Sequence, residues 1–158
     1  MDNLTNHKIL AVASKGGHWT QLQRITNQLS EFYNMVYIST VDYSSMLPEN
    51  SKLNVVTDFS RWNCWKVLPT FWQIWNIIRN ERPDTVITTG AAPGLVAILA
   101  GRMCRIKTIW IDSIANAAEL SGSGRIARKF AHHVFTQWPH LADSRVEYHG
   151  NTFGLKEK

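Results

Sequence analysis

The apolar run Lys8–Ala13 passes directly into Ser14-Lys15-Gly16-Gly17-His18 and then into a helical pattern. The same succession recurs where Asp84–Thr89 runs into Gly90-Ala91-Ala92-Pro93-Gly94 and an apolar stretch ending at Cys104. Strand, glycine turn and helix in immediate succession is the local plan of a parallel sheet crossed by helices. The rest of the chain keeps the alternation. A helix is expected from about Trp19 to Ser30, with Leu22, Ile25 and Leu29 on one face. Strands are expected at Met35–Thr40, more weakly at Asn54–Phe59, then at Lys107–Asp112, His133–Thr136 and, short, at Arg145–His149. Helices are expected at Gly94–Cys104, where Pro93 suits a first turn, and at Ser123–His132. The expected fold class is α/β: a Rossmann-like domain with a parallel sheet flanked by helices.

At 158 residues the chain suits one domain, residues 1–158 with a core over about 8–150; a domain of this size buries roughly 70% of its unfolded surface. A net charge of +5 favours an anionic partner, whether a phosphate-bearing substrate, a membrane surface or RNA, without choosing among them. Cys64 and Cys104 have no metal-ligand spacing and read as free thiols, so neither metal nor cofactor is expected. No Gly-x-Ser-x-Gly elbow points to a hydrolase. The start, Met1 to Lys8, lacks the apolar run of a secretory signal, and no stretch approaches the roughly 20 apolar residues of a spanning helix. The expected location is therefore cytoplasmic, with a membrane face as a possible docking place.

In a doubly wound sheet, ligands bind beyond the carboxyl ends of the strands. Glycine there lets the backbone approach a phosphate, and the next helix supplies unpaired N–H groups and a positive dipole end. Both glycine turns are candidates, although neither is a Gly-x-Gly-x-x-Gly or a P-loop. The candidate binding residues are Ser14, Lys15, Gly16, Gly17, Gly90 and Gly94. His18 stands where an imidazole can take a proton from an attacking hydroxyl, or cap a helix. Lys15 either pairs with phosphate or is solvated. Asp112, at the end of a strand, either serves as a base, orients a sugar hydroxyl, or caps the following loop. Ser121 and Ser123, with Gly122 and Gly124 ahead of Arg125, Arg128 and Lys129, form either a phosphate contact or a solvated basic face.

Of seven tryptophans, four lie in one segment: Trp62, Trp65, Trp72 and Trp75. On a helical wheel Trp65, Leu68, Phe71, Trp72, Trp75 and Ile78 share a broad face, and Pro69 should kink the segment or start its main helix. That face either packs on the sheet or docks on a membrane, where indoles settle at headgroup depth and Arg61, Lys66, Arg79 and Arg82 suit anionic lipid.

The run Ser14-Lys15-Gly16-Gly17-His18-Trp19-Thr20-Gln21-Leu22 resembles the Ser-x-Gly-Gly-His-x-x-x-Leu start of oligosaccharide-biosynthesis subunits that pair with a separate donor-binding subunit. Thr88-Thr89-Gly90-Ala91-Ala92-Pro93-Gly94 resembles their second glycine turn, and Asp112-Ser113 their acidic-Ser pair. Leu120-Ser121-Gly122-Ser123-Gly124 and Gln137-Trp138-Pro139 complete the set, in the family's order, across Lys8 to Gly150. The family includes the membrane-anchoring subunit of the split N-acetylglucosaminyltransferase of eukaryotic N-glycan assembly and PssD-like bacterial subunits of capsule and exopolysaccharide synthesis. The bacterial type is the closer match. The pattern is more distantly similar to the N-terminal domain of MurG.

The resemblance implies one half of a GT-B glycosyltransferase, the N-terminal half, which binds a polyprenyl-diphosphate-linked saccharide and docks on the membrane. A partner chain would bind the UDP-sugar, and the active site would form between them. Nucleic acid is not an implied partner. Gly16, Gly17 and His18 carry over to the acceptor-diphosphate loop and Gly90 and Gly94 to the second loop. Asp112 takes the place of a family Glu, and Asn116 stands where eukaryotic members usually show Arg. The implied reaction is an inverting sugar transfer with His18 as leading base and Asp112 second. Two other readings stand beside it. In one, the chain is a non-catalytic anchor and activator of a partner glycosyltransferase. In the other, it is a stand-alone Rossmann-type nucleotide-binding enzyme, for which Asp42 is the only acidic residue near the end of the second strand.

Overall fold

The computed structural model describes residues 6–48, 51–59 and 61–154. Its centre is β1 (Lys8–Val12), an almost wholly apolar run that is buried from Ile9 onward because helices or loops cover both of its faces. After it come α1 (Gly17–Leu29), β2 (Asn34–Ser39), β3 (Lys52–Val55), α2 (Val67–Glu81), β4 (Thr85–Thr88) and α3 (Ala91–Met103). Then follow β5 (Lys107–Ile111), α4 (Gly122–Phe130), β6 (His133–Thr136) and β7 (Glu147–Tyr148). All pairings are parallel, in the order β3-β2-β1-β4-β5-β6-β7. The sheet is thus Rossmann-like, as expected from the alternation.

The order reverses between β1 and β4, so consecutive connections leave these two neighbours in opposite directions and open a crevice at their carboxyl ends. Both glycine turns sit there. On one face of the sheet α2, α3 and α4 pack side by side, with α3 between its neighbours. Leu10, Val12, Val36, Ile38, Ile74, Ile78, Val86 and Ala97 form that core. On the other face α1 lays Trp19, Leu22 and Ile25 against Ile9, Ala11, Tyr37 and Ile87.

The third strand departs from its expected place. It runs over Lys52–Val55 rather than Asn54–Phe59, because its register against β2 pairs Val36 with Lys52 and Ser39 with Val55. Only the Val56 N–H, which donates to the Ser39 carbonyl at 2.9 Å, carries the ladder further. Pro69 falls in the first turn of α2, where its missing N–H costs nothing, and it starts the helix rather than kinking it.

Candidate functional site

The first turn leaves β1 with Gly16 at φ +79, a conformation that L residues rarely adopt. Two of its N–H groups are already used: Lys15 N donates to Thr40 Oγ1 (3.2 Å) and Gly16 N to Tyr43 Oη (3.3 Å). The N–H groups of Gly17, His18 and Trp19 open α1, and a helix start provides them no intrahelical acceptor. Ser14 is buried behind the turn. Lys15 Nζ lies 3.7 Å from Asp58, a half-solvated pair worth at most about 1 kcal/mol, and is not among the residues lining the cleft described below.

The second turn reaches toward the first. His18 Nδ1 is 2.9 Å from the Thr89 carbonyl, and Thr89 Oγ1 donates to the His18 carbonyl at 2.6 Å. A carbonyl only accepts, so Nδ1 carries the proton and Nε2 of the neutral ring keeps its lone pair. Gly90 and Gly94 do not form the phosphate cradle expected of them. Gly90 is buried, and its N–H donates to Thr88 Oγ1 (3.1 Å). Gly94 is buried in α3, where a methyl group would stand 2.2 Å from Thr88 Oγ1. Their glycines let the turn close on the protein itself.

Asp112 is also corrected from the role of base. It is 2% exposed, and each carboxylate oxygen accepts two hydrogen bonds. Oδ1 takes them from Trp110 Nε1 (3.1 Å) and Ser121 Oγ (2.6 Å), Oδ2 from Ser121 N (2.9 Å) and Asn116 Nδ2 (3.3 Å). With about four acceptor sites on a carboxylate, none is left for a substrate proton. The residue instead ties the loop after β5 to the start of α4. Ser121 passes the link on by capping that helix, its Oγ accepting from Gly124 N at 2.8 Å. Gly124 must lack a side chain, since a methyl group would lie 2.6 Å from Asp112 Oδ1.

These elements enclose a cleft of about 670 Å³ whose lining includes His18, Ala91, Ser113, Asn116, Ser123 and Arg125. The second residue of α1 and the first residues of α3 and α4 line it, so three helix starts border the cleft beside the Arg125 guanidinium. Ser121 and Ser123 belong to this wall, whereas Ser14, Lys15, Gly16, Gly17, Gly90 and Gly94 do not. Ala91 is held at φ +65, a strained value for a residue with a side chain.

Two buried residues lie inside the sequence motifs but carry no assigned role there. Gln21 and Gln137 are buried behind the cleft and bonded to each other, Gln137 Nε2 to Gln21 Oε1 at 2.7 Å. Gln21 also holds Ser113 Oγ (3.0 Å) and the Ile114 N–H (3.1 Å), and Gln137 holds the Asp112 carbonyl (2.9 Å) and Thr152 (2.9 Å). The signal was a glutamine on the apolar stripe of the first helix, one turn before Ile25. Asp42, the ribose candidate of the nucleotide-binding alternative, is occupied in its own turn: Oδ1 accepts from Ser44 N at 2.9 Å, which holds its carboxyl below the usual range.

The tryptophan segment divides. Ile74 and Ile78 enter the core, and Phe71 and Trp75 are half-buried against it, stacked at 5.8 Å. Trp65, Leu68 and Trp72 are 70%, 66% and 59% exposed. They stand at helical spacing around the start of α2, with Lys66 Nζ 5.4 Å from the Trp65 ring. The side chains of Trp62, Arg61 and Cys64 lie outside the described residues. Because α2 runs from the carboxyl edge of the sheet back to β4, its exposed start belongs to the same edge as the cleft. No helix among the described residues is long and apolar enough to cross a membrane.

The sequence profile of the family described as "Oligosaccharide biosynthesis protein Alg14 like" matches residues 56–152, more than half of the chain. A UDP-N-acetylglucosamine transferase subunit ALG14 from Yarrowia lipolytica is 23% identical, over 92% of this chain and 81% of that protein. The subunit of the same name from Mus musculus is 24% identical, over 86% and 77%. Among solved structures, MurG of Acinetobacter baumannii superposes with a TM-score of 0.76 at 16% identity, covering 96% of this chain. The chain spans only about half of that structure, 47% of its length.

Proposed function

The chain belongs to the Alg14-like family of oligosaccharide-biosynthesis proteins, and on that premise we propose that it is the acceptor-binding, membrane-docking subunit of a two-component glycosyltransferase. The described residues form its acceptor-binding domain. The donor is a UDP-sugar carried by a partner chain, and the acceptor is a polyprenyl-diphosphate-linked saccharide. We assign it, as a PssD-like subunit, to bacterial capsule or exopolysaccharide synthesis at the cytoplasmic membrane face.

One observation carries the reading: a proton-accepting ring nitrogen and three helix starts share an open cleft. The acceptor hydroxyl approaches His18 Nε2, which takes its proton as the oxygen attacks the anomeric carbon of the donor. The new C–O bond forms as the bond to UDP breaks, with inversion, and the partner stabilises the departing diphosphate. The N–H groups opening α1, together with Ser123 and Arg125, hold the acceptor diphosphate, whereas both donors of Ser121 are spent on Asp112. Asp112 sets the shape of that wall and touches neither proton nor sugar. Trp65, Leu68 and Trp72 bring the same edge to the lipid surface that carries the acceptor.

The test is transfer from a panel of radiolabelled UDP-sugars into membrane lipid extract, with this chain alone and with a co-expressed candidate partner. Activity is expected only from the pair, and His18→Ala should lower it about 10²-fold or more without dissociating the pair. Activity from this chain alone would end the two-subunit account. Full activity of His18→Ala would leave the chain an anchor and activator. Failure of the folded protein to float with anionic vesicles would remove the docking role.

A further inference from the structure

The peptide unit joining Thr89 to Gly90 is held at both ends. Its carbonyl accepts from His18 Nδ1, and its N–H donates to Thr88 Oγ1. Thr88 is buried and packs so close to α3 that a methyl group on Gly94 would stand 2.2 Å from its hydroxyl and 3.4 Å from its methyl. The Thr89 hydroxyl adds a second tie by donating to the His18 carbonyl. Strands β1 and β4 are direct neighbours, with Val12 beside Thr88, so the clamp spans the crevice where the strand order reverses. Gly90 is at φ +117, and a methyl group there would lie 3.1 Å from His18 Cε1 and 3.2 Å from Nδ1. Glycine is therefore required twice, for the turn of the peptide and for the seat of the ring. Among the described residues, Nε2 has no partner.

We propose, on the reading that His18 is the base, that the Thr89–Gly90 peptide and the Thr89 hydroxyl are positioning groups that fix His18 as the Nδ1–H tautomer with Nε2 presented to the cleft. A neutral carbonyl here does what a carboxylate does for other catalytic histidines. It sets which nitrogen holds the proton without placing a negative charge beside a site that binds diphosphate. The arrangement also explains why a buried glycine turn, useless for cradling phosphate, stands beside the one that is open to it.

The experiment is two-bond ¹H–¹⁵N correlation of the imidazoles in the ¹⁵N-labelled full chain, with His18 identified by its loss in His18→Gln. The wild type should show a protonated Nδ1 and an unprotonated Nε2 above the titration range. Gly90→Ala and Thr89→Val should move His18 toward a mixture of tautomers, and Thr89→Ser should keep the wild-type pattern. An Nε2–H form in the wild type, or unchanged tautomers in both variants, overturns the proposal. If Gly90→Ala does not fold, the Thr89 pair of variants decides. In the co-expressed enzyme, Gly90→Ala should lower kcat about 10²-fold with little change in KM, the cost of a base displaced by about 1 Å. A shifted tautomer together with a fully active His18→Gln enzyme would sink the base assignment while the positioning stands. An inactive His18→Gln beside fully active Gly90→Ala and Thr89→Val enzymes would sink the positioning alone.

Discussion

At Gly16 and Gly17 an added methyl group would meet nothing within 4 Å, whereas at Gly90 it would press on the His18 ring and at Gly94 on the Thr88 hydroxyl. The two turns stand side by side at the carboxyl edge of β1 and β4. In the first, missing side chains leave the backbone bare toward solvent at a helix start, which is what an incoming anion needs. In the second they let one part of the protein close on another. The same residue type thus supplies room for a ligand in one turn and room for a neighbour in the other, and substitution separates the two uses.

The largest expected effect on stability is at Gly94. Gly94→Ala should cost about 3 kcal/mol by urea denaturation, the upper part of the overpacking range, because Thr88 is buried and its hydroxyl is already bonded. Thr88→Ala removes the atom in the way, so the double variant should lose at least about 1 kcal/mol less than the two single losses together. Additive losses would show that the close approach is not the cause. Gly16→Ala comes next, at about 1–2 kcal/mol, from backbone strain alone, since φ is +79 with open space around it. Ala91→Gly runs the other way. It relieves a side chain held at φ +65, and after the added freedom of the unfolded chain it should gain about 0.5 kcal/mol. A loss there would mean that the methyl group supports the cleft wall by packing.

The sequence disclosed the sheet and the edge that carries the cleft because both are local. A buried strand followed by glycine and a helix needs no distant partner to be recognised, and β1, β4 and β6 fall where their apolar runs stand. Register is not local, and the third strand moved because its hydrogen bonds are set by β2 rather than by its own valines. The helical wheel of the tryptophan segment found the helix but merged two faces. Trp75 joins Phe71 against the core while Trp65 and Trp72 turn outward, a division made by the packing of α2 on α3 and the sheet. His18 could be nominated from its place after the first turn. Its partner could not, since Thr89 lies 71 residues away in sequence. Asp112 looked like a base because a carboxylate at a strand end looks exposed. The chain folds back nine residues later to spend its oxygens on Ser121.

Gly17 carries the smallest effect on stability and the sharpest test of the comparison. It is exposed, at an ordinary negative φ, and opens α1 with no atom within reach of a new methyl group. Alanine favours helix by about 1 kcal/mol in an interior and by less at a first position, so Gly17→Ala should change stability by no more than about 0.5 kcal/mol. Packing and conformation therefore give no reason for glycine here, and what remains is access to the N–H groups that start the helix. In the assembled enzyme Gly17→Ala should raise the KM for the lipid acceptor about tenfold, the equivalent of about 1.4 kcal/mol, with less change in kcat. The measurement is initial-rate transfer at varied acceptor concentration, paired with a urea melt of the same preparation. A stable variant with unchanged KM would mean that the open turn holds no phosphate, and the contrast between the two turns would reduce to backbone geometry.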